Sequence, residues 1–205
     1  MAYRERETMK KFSVHAIQTL LVLFIVFLLS TTASSVSLLP QNNSNPSIVV
    51  EQRVQTASSQ KISDILSMID EHLILTYLQN IVGLGPRKTG TYGCEKAAQY
   101  IHEQFTDSGL YARYQNWTAW GNQYIPKRYT SKNVEGTIRG TDSTDTSIII
   151  FNAHHDSVAK GPGANDDGSG TVAVLAAAYA LSHFDFKRTV KFVTFSGEEV
   201  GLLGS

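Results

Sequence analysis

The chain has 205 residues, 42% hydrophobic and 18% charged, with 18 basic side chains balancing 18 acidic ones. That composition suits one globular domain with appendages and excludes wholesale disorder, collagen-like repeats and a polytopic membrane protein. Zero net charge without a basic stripe argues against a nucleic-acid partner, and the single cysteine, Cys94, excludes an intrachain disulfide and a cysteine-built metal site.

Arg4, Arg6, Lys10 and Lys11 precede the ten-residue apolar run Leu20–Leu29, which gives way to Ala33-Ser34-Ser35. A basic start, a short apolar core and a small-residue exit form the pattern of a secretory signal peptide, whereas a membrane span needs about 20 apolar residues. Residues 1–39 are read as a cleaved signal peptide ahead of a retained signal anchor. Either reading places the rest of the chain outside the cytosol, secreted or anchored, with membrane contact only through that segment. Residues 40–61 are polar and read as a linker. Asn-x-Ser/Thr sequons stand at Asn42 and Asn116.

The domain is expected over 62–205. Ile62, Ile65, Leu66, Ile69 and Leu73 share one helical face, and Leu75, Leu78 and Val82 extend the spacing to the breaker Gly83-Leu84-Gly85-Pro86. Cys94, Ala97, Ala98, Ile101 and Phe105 predict a second helix ending before Gly109, with Cys94 in the core and not a nucleophile. The loop Gly85-Pro-Arg-Lys-Thr-Gly90 between them has no role that periodicity reveals. Residues 111–139 suggest two edge-type strands. Ile148-Ile-Ile-Phe151 reads as a strand buried on both faces, 169–183 as a helix, and Thr189–Phe195 as a further strand. Strand, helix, strand in that order is a βαβ unit, so the fold class is α/β, a mostly parallel or mixed sheet sandwiched by helices.

Ligands in such sheets bind beyond the carboxyl ends of the strands. Three clusters stand there: Ala153-His-His-Asp-Ser157, Gly163-Ala-Asn-Asp-Asp-Gly-Ser-Gly170 and Ser196-Gly-Glu-Glu-Val-Gly201. Singly, each reads more simply as a hydrogen-bonded group, a turn with an N-cap, or charge at a helix start. Together, imidazole and carboxylate without sulfur suit zinc, manganese or cobalt. Adjacent acids such as Glu198-Glu199 can divide metal binding from proton transfer.

The three motifs together, with Gly85-Pro-Arg-Lys-Thr-Gly90 before them, resemble the co-catalytic dizinc aminopeptidases of the leucyl aminopeptidase/aminopeptidase Y type, whose fold the transferrin-receptor-like peptidases share. The resemblance implies that His154 ligates one zinc, Asp166 bridges two Zn2+ ions and Glu199 ligates the second. Asp156 would orient the His154 imidazole, and the Asp166–Asp167 peptide would be cis. Glu198 would act as general base in hydrolysis by a hydroxide held between the two metals. The substrates implied are peptides with a free N-terminus. The family's second carboxylate and second histidine ligands have no counterpart up to Ser205. The chain therefore reads as truncated on its C-terminal side and, alone, as inactive or weakly active. Alternatives in the same fold are a zinc carboxypeptidase, a glutaminyl-cyclase-like enzyme and a non-catalytic transferrin-receptor-like ectodomain. His155 is expected to point away from the metals, because neighbours on a strand face opposite sides.

Overall fold

The computed structural model describes residues 59–121 and 126–205. The signal segment, nearly all of the linker and the Asn42 sequon lie outside the described residues. Among those described, no helix is long and apolar enough to cross a membrane.

Residues 59–67 form helix α1, which takes in the last three positions of the expected linker. The expected continuous helix from 62 to 82 is instead two. The chain breaks at Met68–Asp70, and Asp70 caps α2 (Glu71–Gly83) by accepting the Leu73 amide at 2.7 Å. A carboxylate there satisfies one of the first-turn amides that no helix can pair internally, which makes a restart at that point favourable. The break also rephases the apolar stripe: Ile74, Tyr77 and Ile81 are buried, while Leu75 and Leu78 are only partly covered.

Helix α3 (Tyr92–Asp107) buries the expected stripe of Cys94, Ala97, Ala98, Ile101 and Phe105. It ends in the left-handed Gly109, φ +78°. Burial pushes the Cys94 thiol up to about 11. Only the thiolate reacts readily, so a disulfide reagent at pH 8 is expected to label Cys94 promptly in denaturant and only at the rate of structural opening in the native protein. Prompt native labelling would place Cys94 outside the core.

The sheet is mixed. Strands β1 (Tyr111–Trp120) and β2 (Arg128–Ile138) pair antiparallel, β2 pairs antiparallel with β4 (Thr189–Phe195), and β3 (Ile148–His154) pairs parallel with β4. The described order is β1-β2-β4-β3, so β2 is an inner strand and not the second edge that its loose alternation suggested. Helix α4 (Ser169–Leu181) completes the β3-α4-β4 unit. It is apolar nearly all round, with nine buried residues, because α2 covers it on one side and the sheet on the other. Phe151 stacks on Phe192 at 5.1 Å, and Phe192 lies 6.3 Å from Phe105, carrying the core from β3 through β4 to α3.

One expectation is overturned here. β3 is not buried on both faces: Ile148 and Ile150 are 50% and 49% exposed. The helices cover the face carrying Phe151 and Ala153, and β3 is the edge of the described sheet. A continuous apolar run cannot distinguish two covered faces from one.

Candidate active site

Because β3 and β4 run parallel, their carboxyl ends stand side by side, His154 opposite Phe195. The His155 amide donates to Phe195 O at 2.8 Å and ties the two ends together. Beyond β4 the chain turns sharply at Gly197, φ +90°, where a Cβ would meet the Trp117 ring at 2.7 Å. Only glycine fits there, and Trp117 fastens the turn from β1 by donating Nε1 to Ser196 Oγ at 3.1 Å. The Gly163–Gly170 cluster enters through Gly163, φ +53°, and the segment Ala164–Gly168 that leads into α4; the Asp166–Asp167 peptide is cis.

These three segments converge on His154. Its Nε2 lies 3.1 Å from Asp166 Oδ1 and 3.8 Å from Glu198 Oε2, while its Nδ1 lies 3.5 Å from Asp156 Oδ1. The His154 amide donates to Asp167 Oδ2 at 3.2 Å, and Asp167 Oδ1 accepts the Gly170 amide at 2.9 Å, so Asp167 joins β3 to the start of α4. A cavity of about 260 Å³ opens here, lined by His154, Asp167, Phe195, Glu198 and Leu202 among others. The Glu198 side chain is 41% exposed at this surface.

Electrostatics follow from that crowding. Burial disfavours a charged imidazole, but Asp156, Asp167 and Glu198 outweigh it and push His154 up to about 9. Burial, with Asp166 and Asp156 nearby, raises Glu199 above the ordinary carboxylate range. Asp156 is fully buried, which alone would raise it, yet hydrogen bonds from His154 and Thr89 hold it below its usual value. His155 faces away, its Nδ1 3.1 Å from Thr194 Oγ1, and burial lowers it to about 4, so it is neutral at pH 7.

Of the sequence-predicted site residues, His154, Asp156, Asp166 and Glu198 meet directly. Glu199 joins them through its backbone, its amide donating to Asp156 Oδ2 at 3.2 Å. Among the described residues no three His, Cys, Asp or Glu side chains stand as a finished metal cage. The donors nevertheless fit zinc in kind, an imidazole nitrogen beside carboxylate oxygens. The lysine and arginine ion pairs of the described residues engage Glu95, Glu135 and Asp145 instead, so His154 is the basic side chain that faces the cluster's carboxylates in ion-pair range.

Residues 133–205 match the profile of peptidase family M28. This stretch is similar to M28 peptidases. The matched segment begins within β2 and takes in all three clusters. The chain is 51% identical over 59 residues to aminopeptidase Y of Saccharomyces cerevisiae, a match covering 29% of this chain and 11% of that protein. Among solved structures it resembles a zinc aminopeptidase from Bacillus subtilis, with TM-score 0.58 and 18% identity over 65% of this chain and 63% of that one. It also resembles Fimbriiglobus ruber glutaminyl cyclase, with TM-score 0.55 and 20% identity over 63% and 46%. The chain thus spans only a small part of the length of the curated relative and under two thirds of these solved chains. At such identities the structures show the shared α/β fold, with its mixed sheet and flanking helices.

Sequence reading left Arg87 and Thr89 without a role. Both lie in the Gly85–Gly90 loop and both are buried. Arg87 donates Nε to His155 O at 2.8 Å, Nη2 to Gly163 O at 2.9 Å and Nη1 to Pro162 O. Thr89 donates Oγ1 to Asp156 Oδ2 at 2.6 Å. The available signal was a loop bracketed by Gly85 and Gly90 whose polar side chains, Arg87 and Thr89 among them, no turn requires; both glycines sit at φ +76°.

Proposed function

We propose that this chain carries catalytic residues of a zinc aminopeptidase that removes N-terminal residues from peptides. The observation that supports it most is the convergence of His154, Asp166 and Glu198 within 3.8 Å at the carboxyl ends of two parallel strands, beside an open cavity. His154 and Asp166 would hold one ion, Asp166 would be shared with a second, and Glu199 would serve that second one. Bound zinc supplies Lewis-acid polarisation of the scissile carbonyl.

The remaining work falls to side chains. Glu198, half-exposed and free to swing at its Oε2, takes a proton from the attacking water and returns it to the leaving amine. Asp156 fixes the His154 ring so that Nε2 faces the cavity. Asp167, held by two amides, keeps β3 and the Asp166 segment in register. Phe195 and Leu202 give the cavity an apolar wall against which a substrate side chain can rest. The compartment is read as extracytoplasmic, on the residue 1–39 pattern.

A glutaminyl-cyclase-like reaction is the second reading, favoured by the likeness in fold to the Fimbriiglobus ruber enzyme. The aminopeptidase reading is preferred because the sequence relative, an aminopeptidase, reaches 51% identity over 59 residues, whereas the cyclase likeness is one of fold at 20% identity. The full-length protein is expected to release p-nitroaniline from leucyl-p-nitroanilide, to lose that activity with a strong chelator and to regain it with Zn2+. Conversion of N-terminal glutamine to pyroglutamate without anilide release would establish the second reading. Activity indifferent to chelator would sink both.

A further inference from the structure

We infer that Thr89 is a positioning residue: its hydroxyl locks the Asp156 carboxylate, and through it His154 and the Glu198–Glu199 turn, into one frame. The inference rests on the reading of those residues as the catalytic cluster.

Asp156 is a carboxylate with no exposed surface, and a buried charge persists only where donors surround it. Its donors come from three separate parts of the chain. Oδ2 accepts Thr89 Oγ1 at 2.6 Å and the Glu199 amide at 3.2 Å; Oδ1 accepts the Glu198 amide at 3.3 Å and lies 3.5 Å from His154 Nδ1. The Thr89 contact is the shortest of the four. The other three are long, and each depends on the carboxylate plane being turned correctly. Rotation of that plane by about a quarter turn about its broad terminal torsion would lose both amides together and release the turn that carries Glu198 and Glu199. The Thr89 bond prevents that rotation.

Thr89 reaches this place because its loop is anchored independently. The Arg87 amide donates to Ser157 Oγ at 2.9 Å, the Ser157 amide donates back to Arg87 O at 3.3 Å, and the Arg87 guanidinium grips His155 O and Gly163 O. Two residues further on, Thr89 is delivered beside Asp156. The first turn of α3 closes over the loop, so tightly that a Cβ at Gly93 would fall 2.3 Å from Pro86 O. A segment that precedes the three motifs by more than sixty residues thereby sets the relative placement of two of them.

A packing role for the Thr89 methyl would produce a similar burial, and two substitutions separate the possibilities. Thr89→Val keeps the shape and removes the donor; Thr89→Ser keeps the donor and removes the methyl. Three readouts apply to the full-length protein: hydrogen exchange at the Glu198 and Glu199 amides without added metal, Zn2+ affinity by competition with a chromogenic chelator, and kcat and KM on leucyl-p-nitroanilide. Groups that orient metal ligands typically change affinity or activity by about 10–100-fold when removed. Thr89→Val is therefore expected to exchange both amides roughly tenfold faster, to bind zinc at least tenfold more weakly and to lose about 10–100-fold in kcat with KM within about twofold. Thr89→Ser is expected to match the wild type in all three. A valine variant indistinguishable from wild type, or a serine variant as damaged as the valine one, overturns the inference. A wild-type protein that binds no zinc overturns the functional reading instead, while the amide exchange comparison still decides whether Thr89 holds Asp156.

Discussion

Replacing Glu198 by glutamine is expected to lower kcat by roughly 10²–10⁴-fold, the range typical of a positioned general acid or base, while zinc content and melting temperature stay near wild type. The contrast follows from where the two ends of the residue are engaged. The Glu198 amide belongs to the frame, donating to Asp156 Oδ1 at 3.3 Å, and glutamine keeps that bond. The side chain stands 41% exposed, with Oε2 3.8 Å from His154 Nε2, so glutamine changes its proton affinity and little of its packing. Surface changes of that kind normally shift stability by less than about 0.5 kcal/mol. Glu199→Gln should behave differently. If Glu199 binds metal, its loss weakens zinc affinity, and excess Zn2+ restores part of the activity; no amount of zinc restores Glu198→Gln. Measuring kcat and bound zinc for both variants across a zinc titration separates the two roles. A Glu198→Gln enzyme within about threefold of wild type would remove it from proton transfer and leave the base unassigned.

The division between what the sequence discloses and what it withholds tracks the range of the interactions. Helix α3 is legible because its five core residues repeat at 3.6 spacing and nothing nonlocal competes with that pattern. The βαβ unit is legible because β3, α4 and β4 each declare themselves locally, and parallel pairing then brings the three motifs to one edge without further information. The direction of His155 is legible by alternation alone, since neighbours along an extended chain face opposite sides, and its Nδ1 lies against Thr194 Oγ1 and not beside the His154 ring. The break at Asp70 was obscured because Ile69 and Leu73 continue the apolar spacing across it, and only the side-chain cap shows that the helix restarts. Half-exposure of Ile148 and Ile150 is a property of what lies beside β3, which no run of isoleucines encodes. The Gly85–Gly90 loop is the extreme case. Every contact that gives Arg87 and Thr89 meaning at the site spans nearly seventy residues or more of sequence, so their purpose exists only once the sheet has formed.

Arg87→Met is the second large effect, and it falls on stability. The guanidinium is wholly buried yet has no direct carboxylate partner; it is satisfied by the carbonyls of His155 and Gly163 at 2.8 and 2.9 Å, with Pro162 O and, at 3.5 Å, Ile81 O. Burial lowers its pKa, with Asp156 and Asp167 among the nearby groups that counter the shift, and arginine stays charged at any working pH. Methionine approximates the stem but supplies no donor. Three carbonyls at the joint between β3, the 157–163 loop and the Asp166 segment would then be left in a dry interior. Each orphaned acceptor costs about 1–3 kcal/mol, so the three together cost roughly 3–5 kcal/mol once neighbouring groups relax toward them. Against a typical total of about 5–15 kcal/mol, that is enough to lower the melting temperature by roughly 6–20 °C for a domain of this size. Arg87→Lys keeps the charge but cannot reach carbonyls on both sides of the fork, so it should recover less than half of the loss. Urea unfolding of both variants at pH 7 gives the free energies directly. A methionine variant destabilised by less than about 1 kcal/mol would mean that water replaces the guanidinium at little cost. The loop would then be held mainly by the backbone pairing of Arg87 with Ser157.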